Sequence, residues 1–322
     1  MKDLNVSHLE EGRPKQILLD VGMEIGEGET VGLIGPSASG KTVTALALFR
    51  LLDPMFGGSA EWSVEGMVQY RGRDVYEMPQ EEFRGLRSRE ISMIYQKPRR
   101  ALHPIHMIGW QTGEPVEVHD GVKHERLKEM VVDYLGRVGL PGAERRFYHY
   151  RHQFSGGESQ RIMIAMAIIK GPSLLIADEP TTDLDVTVQR QVLELLKDVR
   201  RETGLSILLI THDLAVIAEM SDRVYVMYAG RIVEHGSVFT IFEEPAHPFT
   251  RGLLASMPRI DSDHFSLEGM RGEHPTPPYD IPGCVFHPRC DFATPACLER
   301  PPTLEELKRG HWVACHNAAQ KA

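Results

Sequence analysis

The sequence predicts an α/β fold built on a mostly parallel sheet covered on both faces by helices, and three observations lead there. The short apolar run at residues 29–34 leads straight into Gly35-Pro36-Ser37-Ala38-Ser39-Gly40-Lys41-Thr42, after which residues 41–52 have helical spacing and good helix formers. Three further runs of strand length, residues 90–95, 174–177 and 206–211, are separated by helical patterns. That alternation gives parallel strands joined by covering helices. Finally, 42% hydrophobic and 25% charged residues are the proportions of a globular chain.

Each element then has its own reason. The Gly-x4-Gly-Lys-Thr loop follows a strand and opens a helix, the context a phosphate-binding loop requires. Its glycines let backbone N–H groups curl around phosphate oxygens, Lys41 reaches toward the outer phosphates, and the Thr42 hydroxyl suits Mg²⁺. Residues 97–169 lack strand signals and read as a helical insertion. Gln96 stands where the preceding strand gives way to that insertion, placed to ligate the metal and report the last phosphate.

Strand 174–177 delivers Asp178 and Glu179. Two adjacent buried carboxylates are costly unless a cation or proton joins them, so Asp178 suits Mg²⁺ and Glu179 suits a general base for an attacking water. Strand 206–211 delivers His212 and Asp213 in the same way. Residues 223–233 read as a hairpin turning at Ala229-Gly230. From Pro258 the composition becomes rich in Pro, Gly, Asp and His, which places a boundary near residue 259, ahead of a small tail.

Bulk numbers narrow the function classes. A net charge of −9 offers no global basic field for nucleic acid or anionic lipid. No apolar run approaches the ~18 residues that a membrane helix needs, and residues 1–5 have no signal-peptide core. A cytoplasmic protein that meets membranes only through partners is expected. All four cysteines, Cys284, Cys290, Cys297 and Cys315, fall in the tail. In a reducing compartment such clustering points to a metal or iron–sulfur centre rather than to disulfides.

The order of these motifs resembles the ATP-binding subunit of ATP-binding cassette (ABC) transporters. On that resemblance Ser155-Gly156-Gly157-Glu158 is the family signature, residues 174–179 the Walker B strand, Asp183-Leu184-Asp185 the D-loop, Gln96 the Q-loop and His212 the switch histidine. The resemblance implies a RecA-like P-loop NTPase core, an antiparallel β subdomain and a helical subdomain at about 97–169. It divides the chain into a nucleotide-binding domain, 1–258, and a cysteine-rich extension, 259–322. It also implies ATP and Mg²⁺ as cofactors. Two cassettes close head to tail, the signature of one covering the last phosphate on the other. Glu179, His212 and Gln96 would be catalytic. Residues 35–42, Asp178, Ser155, Gly156, Gly157, Glu158 and Asp185 would meet the nucleotide.

Further stretches are similar to the oligopeptide, dipeptide and nickel importer branch. They are residues 66–74 and 91–96, Ala101-Leu102-His103-Pro104, Pro245-Ala246-His247-Pro248-Phe249-Thr250, and residues 283–290. The branch implies uptake of peptides or related solutes through two transmembrane permease subunits, fed by an extracytoplasmic solute-binding protein. The partner cassette is expected to be a paralogue, and the subunit to sit peripherally on the cytoplasmic face of the membrane. A soluble ABC ATPase of translation or repair is the rival reading. Some branch members hold a [4Fe–4S] cluster on the C-terminal cysteines. The spacing Cys-x5-Cys-x6-Cys-x17-Cys fits no common zinc ribbon, so the cluster is the first expectation and zinc the second. Residues 7–17 hold no Phe, Tyr or Trp to stack on adenine, which leaves His8 or Arg13 for that contact.

Overall fold

The computed structural model describes residues 1–10, 12–53, 61–256 and 270–318. They form two compact units, one of Met1–Glu24, Thr30–Glu77 and Thr211–Ala322, the other of Ile25–Glu29 and Met78–Ile210. The boundary expected near residue 259 lies outside the described residues.

In the first unit, strand Lys2–Glu10 runs antiparallel between Arg13–Val21 and Trp62–Met67. The register sets His8 opposite Trp62. Leu4, Val6, Leu18 and Val21 are buried on one face, the alternation of a half-buried sheet. A second sheet begins with Thr30–Ile34, buried at every position, paired in parallel with Arg223–Tyr228. The expected hairpin follows. Ala229 and Gly230 take φ of 44° and 74°, the left-handed pair that a two-residue turn needs, and Arg231–Ser237 returns antiparallel.

The tail adds to this sheet. His311–Val313 pairs with Arg231–Ser237 on one side and with Glu305–Lys308 on the other. The tail is thus tied down by strand pairing. A buried hydrogen bond reinforces it, between His311 Nε2 and Glu234 Oε1 at 2.8 Å, with both side chains essentially out of solvent.

The helix after the phosphate loop is Lys41–Leu48, four residues shorter than its periodicity predicts. Arg50 takes φ 51°, while Leu51 N–H reaches Leu46 O and Arg50 N–H reaches Ala47 O. Those two bonds close a Schellman stop that usually falls to glycine.

The second unit carries parallel strands Ile91–Ile94, Leu174–Asp178 and Ser206–Ile210, almost wholly buried and almost wholly apolar. Helices Pro98–Ala101, Ile108–Asp120, His124–Arg137, Ala143–Arg146 and Gly156–Ile168 fill the stretch read as an insertion. Gly113 lets two of them approach closely, since a Cβ there would lie 3.0 Å from Leu127 and Val131. Helix Val186–Thr203 buries Val192, Leu193, Leu196 and Val199 along one stripe and stops at Gly204, φ 69°. Among the described residues, no helix is long and apolar enough to cross a membrane.

Candidate functional site

The phosphate loop is shaped from within the first unit. Gly35 must be glycine, because a Cβ there would lie 2.2 Å from the Met227 carbonyl oxygen. Gly40 takes φ 108° and would press on Leu18 at 2.6 Å if it carried a Cβ. Lys41 is buried and its Nζ donates to the carbonyls of Gly35 and Pro36, each at 2.9 Å, so the amine is held inside the curl of the loop. Ser39 N–H closes a turn on Pro36 O at 3.3 Å, and Gly230 N–H donates to Ser39 O at 2.9 Å. Thr42 lies in the first turn of helix Lys41–Leu48.

His212 is exposed one residue beyond the buried Thr211. Asp213 caps helix Leu214–Met220, its Oδ1 accepting from the N–H groups of Ala215 and Val216.

In the second unit Asp178 ends its strand 2% exposed and Glu179 follows at 7%. Glu179 takes φ 52°, donates its N–H to Ile210 O at 2.8 Å and accepts from the Thr182 hydroxyl at 2.7 Å. A left-handed glutamate at a strand end is a strained, fixed arrangement of the kind found where a carboxylate must be aimed. A carboxylate as deeply buried as Asp178 fits a cation, so the donor chemistry suits Mg²⁺. Gln96 lies exposed two residues past strand Ile91–Ile94.

Ser155 is the N-cap of helix Gly156–Ile168. Its Oγ accepts from Glu158 N–H at 3.2 Å while Glu158 Oε2 accepts from Ser155 N–H at 2.9 Å, a reciprocal capping box. Burial works against the Glu158 carboxylate. The Ser155 N–H and the Arg146 guanidinium more than offset it and hold that group below the usual range. Gly157 faces the next helix, where a Cβ would lie 2.7 Å from Val188 Cγ1. Asp185, expected at the nucleotide, caps helix Val186–Thr203 by accepting from Val188 N–H at 3.0 Å.

Two contacts escaped the sequence reading. Trp62, on the strand beside His8, packs its ring 4.7 Å from the imidazole, and His8 Nε2 meets Glu61 at 3.3 Å. His8 therefore has an aromatic partner that no local motif announces. The other contact, Tyr279 on Ala38, joins positions 241 apart.

Among the described residues no group of three or more His, Cys, Asp or Glu side chains stands close enough together to hold a metal ion. All four cysteines are free thiols. Burial pushes the Cys284 thiol up to about 11 and raises those of Cys290 and Cys315, so these sulfurs are protonated at neutral pH.

Comparison with known proteins agrees with the motif order. Residues 18–182 match the family described as ABC transporter, and residues 233–297 match the C-terminal region of oligopeptide/dipeptide transporters. A Brucella abortus (strain 2308) chain named as a peptide import ATP-binding protein is 43% identical over 296 residues, 92% of this chain and 87% of that one. A Brucella ovis relative of the same kind is 44% identical over 309 residues, 92% of this chain and 90% of its own length. Among solved structures, the dimeric ATP-binding cassette MJ0796 in a post-hydrolysis state with ADP and Pi superposes with TM-score 0.63 at 23% identity, covering 74% of this chain and 97% of that one. CbiO1 of Clostridium perfringens gives TM-score 0.60 at 22% identity, covering 76% and 91%. Fold and motifs together define a P-loop ATPase of the cassette type. The chain belongs to the ABC transporter family as one of its ATP-hydrolysing subunits.

Proposed function

We propose that this chain powers import of oligopeptides, dipeptides or related small solutes through two transmembrane permease subunits, from the cytoplasmic face of the membrane. One observation carries the reading: the cassette continues into the oligopeptide/dipeptide transporter C-terminal region at residues 233–297. The names of the Brucella relatives support it. So does an exposed apolar patch, Ile105, Met107 and Trp110, where the rings of His103, His106 and Trp110 follow one another, tilted, with centroids 4.4 and 4.7 Å apart. That patch offers a permease loop a surface on the helical stretch. An extracytoplasmic binding protein would choose the solute.

In this reading residues 35–42 cradle the phosphates with backbone N–H groups and Lys41 neutralises the outer ones. Thr42, Asp178 and Gln96 would hold Mg²⁺, which spreads charge off the terminal phosphate. Glu179 takes a proton from the attacking water and His212 fixes the departing phosphate. Ser155, Gly156 and Gly157 present a capped helix start to the nucleotide of a partner cassette, with Glu158 and Asp185 holding that surface in shape. The partner is a paralogue, and His8 takes the adenine, backed by Trp62. The nucleotide-binding domain ends near 258 and the cysteine extension follows.

A cluster on Cys284, Cys290, Cys297 and Cys315, with zinc second, is a separate proposal. The electrostatic reach of the four thiols on one another supports it. Iron and sulfide near four per chain, lost in Cys290→Ser, would bear it out; colourless protein without metal would end it.

Reconstitution tests the main reading. Co-expressed with its permeases in vesicles, the chain should hydrolyse ATP faster when peptide-loaded binding protein is added, and Lys41→Ala should abolish nucleotide binding. Peptide-independent hydrolysis with no membrane subunit retained would favour the soluble ABC ATPase instead.

A further inference from the structure

The cysteine-bearing tail touches the phosphate loop. Tyr279 is 6% exposed, and its hydroxyl donates to the Ala38 carbonyl. Its ring lies on Gly230, where an added Cβ would be 3.0 Å from Tyr279 Cε2. Gly230 in turn donates its N–H to Ser39 O at 2.9 Å. Arg289, next to Cys290, donates to the Tyr228 hydroxyl at 3.3 Å, and Tyr228 stands two residues before Gly230. Two lines of contact therefore run from the tail to successive carbonyls of the loop, Ala38 and Ser39.

Ala38 sits at φ 62°, a left-handed conformation that a residue with a Cβ keeps only when its surroundings hold it. In a trans peptide the carbonyl of one residue and the N–H of the next point in opposite directions. With the Ala38 carbonyl tied to Tyr279, the Ser39 N–H is turned to the other side, where it makes a long 3.3 Å bond to Pro36 O. That N–H is one of the donors a phosphate collects in such a loop.

The geometry points to Tyr279 as a positioning residue for the phosphate loop: the tail orients the 38–39 peptide for phosphate, and bound nucleotide in turn tightens the tail. The second half is the reciprocity that any such coupling must obey. The inference rests on nucleotide occupying this loop, which Lys41→Ala tests by itself.

Tyr279→Phe in the full chain keeps the ring on Gly230 and removes only the donor. Titration with a fluorescent nucleotide should show Mg·ATP and Mg·ADP binding weakened about two- to tenfold, the value of one buried neutral hydrogen bond. Hydrolysis at saturating ATP should stay near wild type, so KM moves and kcat does not. Burial pushes the Tyr279 phenol up to about 12, so the ratio of variant to wild-type affinity should be flat from about pH 6 to about pH 9. Unchanged affinity overturns the inference, as does an equal fall in kcat with KM constant. Should the variant not fold, hydrogen exchange on wild type decides: Mg·ADP should slow exchange at residues 279–290, and no slowing overturns the coupling. Normal binding by Lys41→Ala would instead unseat the phosphate-loop assignment as a whole.

Discussion

Acidification should loosen the first unit through His247, and the size of the effect follows from its surroundings. The imidazole is 1% exposed, and its Nδ1 accepts from Phe249 N–H at 3.0 Å, capping helix Pro248–Ala255. Burial pushes its pKa down to about 4, with Glu234 opposing and Arg251 assisting. A protonated Nδ1 would be a donor facing a donor, and the cap would be lost. Because the folded-state pKa lies below the ordinary value of 6.5, the stabilisation is complete above that value and drains away as pH falls toward 4. At about pH 5 the deficit is about 2 kcal/mol, 1.5 pH units at ~1.36 kcal/mol each. Glu234, whose carboxylate is itself held low by His311 and by the backbone N–H groups of Ala246 and His247 against its burial, stays ionised through this window. His235 is also pushed down to about 4 by burial, and being partly exposed it contributes less in the same direction. The assay is urea unfolding followed by ellipticity at about pH 7.5 and about pH 5. His247→Asn keeps a cap acceptor without a titrating ring. It should cut the stability difference between the two pH values by about 2 kcal/mol. An unchanged pH slope in that variant would refute the reasoning.

Three further outcomes are expected. Glu179→Gln should bind ATP within about twofold of wild type yet hydrolyse it ~10²–10⁴ times more slowly, and light scattering should show a persistent dimer with Mg·ATP. Wild-type turnover would remove Glu179 as the base. Gly35→Ala forces a methyl to 2.2 Å from Met227 O, so it should lose nucleotide binding and about 1–3 kcal/mol in urea unfolding. Ser155→Ala should cost only about 1 kcal/mol of stability through the lost cap, while ATP-dependent dimerisation falls much further; a loss confined to stability would reduce Ser155 to a cap.

What the sequence disclosed is what lies in consecutive residues. The phosphate loop needs its glycines, lysine and threonine in one short run, and a strand that delivers Asp178 and Glu179 shows as four apolar residues before two acids. The hairpin at Ala229-Gly230 was legible for the same reason. Contacts made across strands were not. His8 faces Trp62 only because the central strand Lys2–Glu10 pairs with Trp62–Met67 in that register. Glu234 meets His311 across 77 positions, with nothing local to mark either residue as a partner. The cysteine spacing is silent on the same point: it counts residues along the chain, whereas a ligand set is a matter of angstroms between sulfurs. The helix after the phosphate loop stopped early because Arg50 accepts the left-handed turn normally left to glycine, and its guanidinium is anchored at 2.7 Å on both Asp53 and Val75 O.

Ser155 shows why a structural role and a functional one need not compete. A helix start leaves its first N–H groups without intrahelical acceptors. The capping box satisfies the one on Glu158 and the one on Ser155 itself. Gly156 and Gly157 keep theirs directed along the helix axis, and neither has a side chain to cover them. A hydroxyl has one donor and two acceptor positions, so Ser155 can accept from Glu158 N–H and still offer its own proton to an anion. Glu158 adds a negative charge near that anion, which would repel it were the carboxylate unpaired. Arg146 answers that charge directly. The same rigid box therefore sets the direction of three donors while cancelling the charge of its own acid. Glu158→Gln should then leave phosphate recognition intact, whereas Arg146→Ala, which frees the carboxylate, should weaken ATP-dependent dimerisation about five- to tenfold, the effect of ~1 kcal/mol of unscreened repulsion at a partly exposed site. Equal behaviour of the two variants in sedimentation with Mg·ATP would show that the charge of Glu158 is never felt at the nucleotide.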